Sequence, residues 1–211
     1  MLHTETVIPT TLGLLKTFMA DPNLKALYLV GGTSLSLRLG HRMSIDLDLF
    51  SDVDFNSERM REYMERRYCL QTDYIAESTI KGDVDGVQVD IIAHTYKWIR
   101  PCEDIDGVRL ASLEDVIAMK LNAIAGNGSR IKDFIDIAYL SSQFSFSQML
   151  GFYEEKYNAN TLMPLKGLTY FDDIYFDEPI RMLTVEKYSW EKIANRLVDM
   201  QRNPYTVFGP I

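Results

Sequence analysis

The chain predicts an α/β fold, with a small mixed β-sheet and flanking helices in its first half and a mostly helical C-terminal half. Two strand signals lie close together near the N-terminus. An apolar run, Leu27-Tyr28-Leu29-Val30, is followed by Ser44-Ile45-Asp46-Leu47-Asp48-Leu49-Phe50, which alternates with period two. Between them Gly31-Gly32 breaks the first strand, and Gly40 closes the short helix over Ser34 to Leu39. Beyond residue 111 apolar positions recur at helical spacing. The expected division is residues 1–110 for the sheet-bearing core and 111–211 for a helical region packed on it.

With 211 residues, 46% of them apolar, the chain can bury a substantial core. No apolar run approaches the roughly 18 residues of a membrane span, and MLHTETVIPTT lacks the basic and apolar blocks of a signal peptide. Cys69 and Cys102 give neither a disulfide framework nor zinc spacing, so a reduced, cytoplasmic setting is expected. The net charge of −8 argues against indiscriminate nucleic-acid binding. It leaves room for a local basic patch from Arg38, His41 and Arg42, which Arg100, Arg109, Arg130 and Lys132 can join. Taken singly, each of these is better read as a solvated charge.

In order, Thr11 to Ala20 reads as a helix with Leu12, Leu15, Phe18 and Met19 on one side, preceded by Pro9 and stopped at Asp21-Pro22. Thr33 and Ser34 can cap the helix after the first strand. Asn56 to Arg67 reads as a polar helix that turns Met60, Tyr63 and Met64 inward. Leu70 to Ile80 and Val87 to Ala93 read as a hairpin around the turn-like Lys81-Gly82-Asp83-Val84-Asp85-Gly86. Ser112-Leu113-Glu114-Asp115 has capping-box spacing ahead of a helix. Gly126-Asn127-Gly128 ends that helix, and Ser129 can cap the next, RIKDFIDIAYLSSQF. From Ser145 to Ile211 the pattern is mostly helical, with clear spacing in Phe146–Tyr157 and in residues 190–200.

The chemistry begins with Asp46 and Asp48. On a strand they project to one face while Ile45, Leu47 and Leu49 project to the other. Neighbouring carboxylates repel unless a cation lies between them. Mg²⁺ suits them, being a hard cation that keeps waters and substrate phosphates in its shell. The Gly31-Gly32 turn leaves backbone N–H groups at a helix N-terminus, where a phosphate can sit. An Asp-x-Asp on a strand is by itself more often structural. The combination of strand, Gly-Gly, short helix and Asp-x-Asp strand is far more specific.

Three further places break the apolar pattern. Asp90 is the one acid in Val87-Gln88-Val89-Asp90-Ile91-Ile92. It either lies at a strand end in water or is a third metal ligand beside Asp46 and Asp48. Lys120 falls in the middle of the face made by Leu113, Val116, Ile117, Leu121 and Ile124, where an amine either snorkels to water or reaches a buried anion. Asp133 and Asp136 share one helix face. Asp133 has the bland explanation of an acid near a helix N-terminus, which is weaker for Asp136. The acids Asp172, Asp173, Asp177 and Glu178 read as a solvated loop, and Tyr170, Phe171, Tyr175 and Phe176 as core or interface.

Gly31-Gly32, thirteen intervening residues and Asp46-Leu47-Asp48 resemble motif I of the nucleotidyltransferase superfamily that includes DNA polymerase beta. The wording GGTSLSLRLGHRMSIDLDLF is similar to the AbiEii/AbiGii toxin family, and the likeness runs from Leu27 to Trp190. The superfamily often has Gly-Ser where this chain has Gly31-Gly32, so the hydroxyl would come from Thr33 or Ser34. The helix holding Lys120 resembles the family's third motif, KDFIDI its fourth, and LKGLTYFDDIYFDEP its C-terminal segment.

This resemblance implies a nucleotidyltransferase fold and a Mg²⁺-dependent transfer of an NMP from an NTP. It implies Asp46, Asp48 and Asp90 as metal ligands. Together with Lys120 and Asp136 they would be the catalytic residues, and Asp90 can also take the acceptor's proton. Nucleotide binding would fall to Gly31, Gly32, Thr33, Ser34, Arg42, Lys120, Lys132 and Asp133. It also implies the toxin half of a toxin–antitoxin or abortive-infection pair, an RNA acceptor with tRNA 3′ ends leading, and a winged-helix antitoxin partner. The alternatives are transfer to an aminoglycoside-like small molecule or a protein, and a non-catalytic nucleotide- or partner-binding module.

Overall fold

Pro9 opens the first helix, α1 (Pro9–Ala20), at the position where a missing N–H costs nothing. Asp21 ends it in extended conformation, and its carboxylate caps the 3₁₀ turn Pro22–Leu24 through the Asn23 N–H. The computed structural model describes residues 1–184 and 189–211. Residues 185–188, within the stretch expected to be mostly helical, lie outside the described residues. The chain divides into two units, Met1–Ser112 and Leu113–Ile211.

In the first unit β1 (Tyr28–Leu29) leads into α2 (Gly31–Leu39) and then β2 (Leu47–Ser51). All three differ from expectation at their ends. The helix begins at Gly31 with Val30 as N-cap, so Thr33 and Ser34 lie inside it and cap nothing. Strand β2 starts three residues late because Ser44 donates its N–H to Thr6 and the Asp46 carbonyl accepts from Thr33. Gly40 closes α2 in the left-handed conformation (φ 67°), as its residue type suggests.

Helix α3 (Ser57–Tyr68) is capped by the Asn56 side chain, and its Arg61 is clasped by Glu58 and Glu65. The expected hairpin is in fact a three-stranded meander: β3 (Gln71–Ala76), β4 (Thr79–Val84) and β5 (Val87–Ala93). The segment Lys81 to Val84, read as turn material, belongs to β4. The turns are Glu77-Ser78 and Asp85-Gly86, with positive φ at Ser78, Asp85 and Gly86. A second Asp-Gly hairpin joins β6 (Glu103–Ile105) to β7 (Val108–Leu110) around Asp106-Gly107.

Among the described residues these strands form a mixed seven-stranded sheet in the order β3-β4-β5-β2-β1-β7-β6. The β2–β5 and β1–β7 pairs are parallel and the others antiparallel. Strand alternation sorts the two central strands by face. Leu47, Leu49, Val89 and Ile91 are buried in one core with Leu15 and Phe18 of α1 and Met64 of α3. Asp48 and Asp90 point the other way.

The second unit consists of α4 (Leu113–Gly126), α5 (Ile131–Leu140), α6 (Phe146–Tyr157), α7 (Leu162–Gly167) and α8 (Trp190–Arg202). Helix α4 packs against α5, α6 and α7, and α5 against α8. Arg130, not Ser129, is the N-cap of α5, and its side chain makes no cap hydrogen bond. A buried ion pair, Lys156 Nζ to Asp115 Oδ1 at 2.7 Å, ties α6 to α4. Of the aromatics expected as core or interface, Phe171 packs on Phe134 and Trp190, Phe176 sets one edge against Trp190 while staying half exposed, and Tyr170 and Tyr175 are exposed. Among the described residues no helix is long and apolar enough to cross a membrane.

Candidate active site

The turn from β1 into α2 fixes the site. Gly31 has φ 66°, a conformation that glycine adopts without strain. It also leaves space that a neighbour fills, since a Cβ there would stand 2.0 Å from Asp48 Oδ2. At Gly32 a Cβ would meet Arg42 Nη2 at 2.7 Å and Ser44 Oγ at 3.3 Å. The two glycines thus admit a carboxylate and a guanidinium to the start of α2. The first N–H groups of a helix have no intrahelical acceptor, and that end carries partial positive charge.

The hydroxyls of this turn have separate fates. Thr33 Oγ1 donates to the Asp46 carbonyl and lies 2.9 Å from Ser44 Oγ, pinning the Asp46 backbone to α2. The hydroxyls of Ser34 and Ser36 are buried without a hydrogen-bond partner among the described residues. Arg42 is almost wholly buried, and its Nη1 donates to the Met43 carbonyl at 3.1 Å.

Asp46 immediately precedes β2 and is half-buried. Asp48 and Asp90 are register partners on the parallel strands β2 and β5, so their side chains leave the same face of the sheet. Lys81 is the partner of Asp90 on the antiparallel strand β4, and its ammonium is ion-paired with Asp90 Oδ2. A row Lys81–Asp90–Asp48 therefore crosses three adjacent strands. Reading Lys81 as part of a turn concealed it, although Asp85-Gly86 between apolar residues already marks a two-residue hairpin that places Lys81 on a strand.

Carboxylate oxygens are the ligands of hard divalent cations. Among the described residues no three His, Cys, Asp or Glu side chains stand together as a closed metal cluster. The three acids Asp46, Asp48 and Asp90 are thus not a preformed cage. Mg²⁺ does not need one, because it is commonly held by one or two carboxylates with water and substrate phosphates completing its shell. The donor set fits such a cation.

Of the cations considered for a local basic patch, Arg38 and Arg109 are tied to backbone carbonyls of the first unit. Arg38 Nη2 donates to the Ala111 carbonyl at 2.8 Å and pairs with Glu103 at 3.1 Å, fastening α2 to β6 and the end of β7. Arg109 donates to the carbonyls of Met19, Leu24 and Leu27, so it staples α1 and the following turn to β7. His41 is buried, and Arg100 is exposed with its Nη1 on the Ile99 carbonyl.

In the second unit Lys120 is buried and does not snorkel to water. Its ammonium lies 2.6 Å from Asp133 Oδ1 and 2.9 Å from Asp136 Oδ2, with all three side chains buried. Both aspartates of α5 are thus engaged by the one lysine of α4. Lys132 pairs with Glu178 at 2.6 Å, and Arg130 is exposed at the N-cap of α5.

A mixed sheet with two acids paired across its central parallel strands, beside a Gly-Gly helix start, defines a nucleotidyltransferase fold. Residues 13–69 and 67–203 match the family described as Nucleotidyl transferase AbiEii toxin, Type IV TA system, and the chain belongs to that family. It is accordingly a nucleotidyltransferase. A protein of Aquifex aeolicus (strain VF5), named uncharacterized protein aq_aa25, is 29% identical over 177 residues, 79% of this chain and 82% of that one. Solved structures share the fold, among them the following two. The nucleotidyltransferase toxin MenT4 of Mycobacterium tuberculosis H37Rv aligns with a TM-score of 0.59 at 12% identity, covering 94% of this chain and 87% of that one. JHP933 of Helicobacter pylori aligns with a TM-score of 0.52 at 18% identity, covering 94% and 93%.

Proposed function

We propose that this nucleotidyltransferase transfers an NMP from an NTP to an RNA acceptor, with tRNA 3′ ends the leading candidate, as the toxin of a toxin–antitoxin or abortive-infection pair. The observation that carries the chemistry is the contact of Asp48 with the Gly31 turn, beside its register partner Asp90. Asp46, Asp48 and Asp90 would hold Mg²⁺. A divalent cation bound there supplies charge neutralisation for a triphosphate and acidifies an acceptor hydroxyl. The N–H groups of Gly31 and Gly32 orient phosphate oxygens at the head of α2, and Arg42 beside Gly32 adds fixed positive charge to the same place. Pyrophosphate leaves, and the NMP remains on the acceptor.

The role of Lys120, Asp133 and Asp136 that accords best with their burial is to hold α4 and α5 in register. The resemblance adds a second role for Lys120, towards the triphosphate. A phosphate reaching that amine would compete with two carboxylates. A winged-helix antitoxin encoded beside this chain is the partner that the family likeness suggests.

The test is a transfer assay with Mg²⁺, each α-³²P-labelled NTP in turn and total bacterial RNA, beside an Asp46→Ala control. Label in a tRNA-sized band, absent from the control, is the expected result and names the nucleotide. Nucleotide binding without label on RNA would redirect the search to a small-molecule or protein acceptor. Absence of nucleotide binding would point to a non-catalytic module.

A further inference from the structure

Asp48 and Asp90 are register partners on adjacent parallel strands, and the next strand places a cation beside Asp90. Lys81 faces Asp90 across β4 and β5 and pairs with its Oδ2, while 42% of the Lys81 side chain remains exposed. An ammonium on a flexible four-carbon stem can hold Asp90 and can also swing into water.

We propose that Lys81 is a positioning residue that stands in for the cation: it neutralises Asp90 in the metal-free protein and must withdraw when a divalent ion takes that carboxylate. Lys81 thereby sets the threshold of metal concentration at which the site fills. The inference rests on the reading of Asp48 and Asp90 as metal ligands, and it goes beyond that reading by assigning a competitor. The pair is partly open to water, so breaking it leaves the fold intact.

The probe is Mn²⁺ alone, without nucleotide, followed by titration calorimetry and by the rise in melting temperature that the ion produces. Lys81→Met is expected to bind Mn²⁺ more tightly, on the order of tenfold, by removing one charge from the neighbourhood of a divalent ion. Its Mn²⁺-dependent rise in melting temperature should exceed that of the unaltered protein. Lys81→Arg keeps the charge and should return affinity towards the original value. Asp48→Asn is the control and should abolish binding. Binding by Lys81→Met that equals or falls below that of the unaltered protein overturns the role of Lys81 while leaving the metal site standing. If neither the unaltered protein nor Lys81→Met binds Mn²⁺, or if Asp48→Asn binds it equally well, the metal site itself fails and the proposal with it.

Discussion

Gly31 and Asp48 occupy one another's space: the position of an ordinary side chain at residue 31 is already filled by the Asp48 carboxylate, 2.0 Å from where a Cβ would be. Glycine is thus required twice at residue 31, by this contact and by its φ of 66°.

Gly31→Ala should therefore damage both the backbone and the acid. The left-handed φ alone costs about 1–2 kcal/mol, and displacement of Asp48 should remove divalent-ion binding. Urea denaturation and Mn²⁺ titration of the same variant check the two effects separately. Gly13, with open space around its Cβ position, is the matched control at which alanine should be tolerated.

Lys156 and Asp115 form an ion pair whose side chains are both 0% exposed. Lys156→Met leaves a buried carboxylate without its cation and should cost about 3–5 kcal/mol. Pairing Lys156→Met with Asp115→Leu should recover most of that loss. Equilibrium unfolding of the single and double variants decides it through the coupling energy.

Lys120 serves two acids, so removing the lysine should hurt more than removing either acid. Lys120→Met takes the ammonium from both Asp133 and Asp136, whereas Asp133→Asn leaves the amine on Asp136 and an amide oxygen to accept from it. The expected order of melting temperatures is unaltered protein, then Asp133→Asn, then Lys120→Met. Lys120→Arg should not restore the original value, because a planar guanidinium does not fit the seat of a compact ammonium.

Asp21 gives the first unit an acid-sensitive joint. Burial pushes its carboxyl up, but hydrogen bonds from Tyr63, Tyr68 and Asn23 outweigh that and hold it at about 2, below the ordinary 3.8. Burial, and then its hydrogen bond to Asp21, push the Tyr68 phenol up in turn. A depressed carboxyl contributes stability that is complete above its unfolded value and is lost as pH falls through its folded value. Stability of the unaltered protein should thus fall between about pH 4 and pH 2 more steeply than that of Asp21→Asn. Urea midpoints measured across this range test the difference.

Much of this was legible in the chain, for reasons that differ by residue. Alternation placed Asp48 and Asp90 on strands, because a single acid in an apolar run marks the face opposite the core. Helical spacing placed Lys120 inside α4, and the structure supplies its partners. The missed features are those that depend on pairing across the sheet or between helices. Lys81 was hidden because Gly82 and Asp83 look like turn residues, yet β4 accepts them through its pairing with β3 and β5. Thr33 was read as a cap from local chemistry alone, whereas its hydroxyl is claimed by a carbonyl thirteen residues away. Arg38 and Arg109 look like surface cations in the sequence, and only the tertiary fold shows the backbone carbonyls they serve.

The margins of the sheet bear on how another protein can approach it. At one margin, β3 is bent out of register between Thr72 and Tyr74, around the charged Asp73. At the other, β6 is only three residues long and begins with Glu103-Asp104. Short, kinked and charged borders discourage strand addition. A partner of this unit should therefore recognise side chains on its helices and loops, and the protein should stay dispersed at concentrations where bare sheet borders would zip together into fibres.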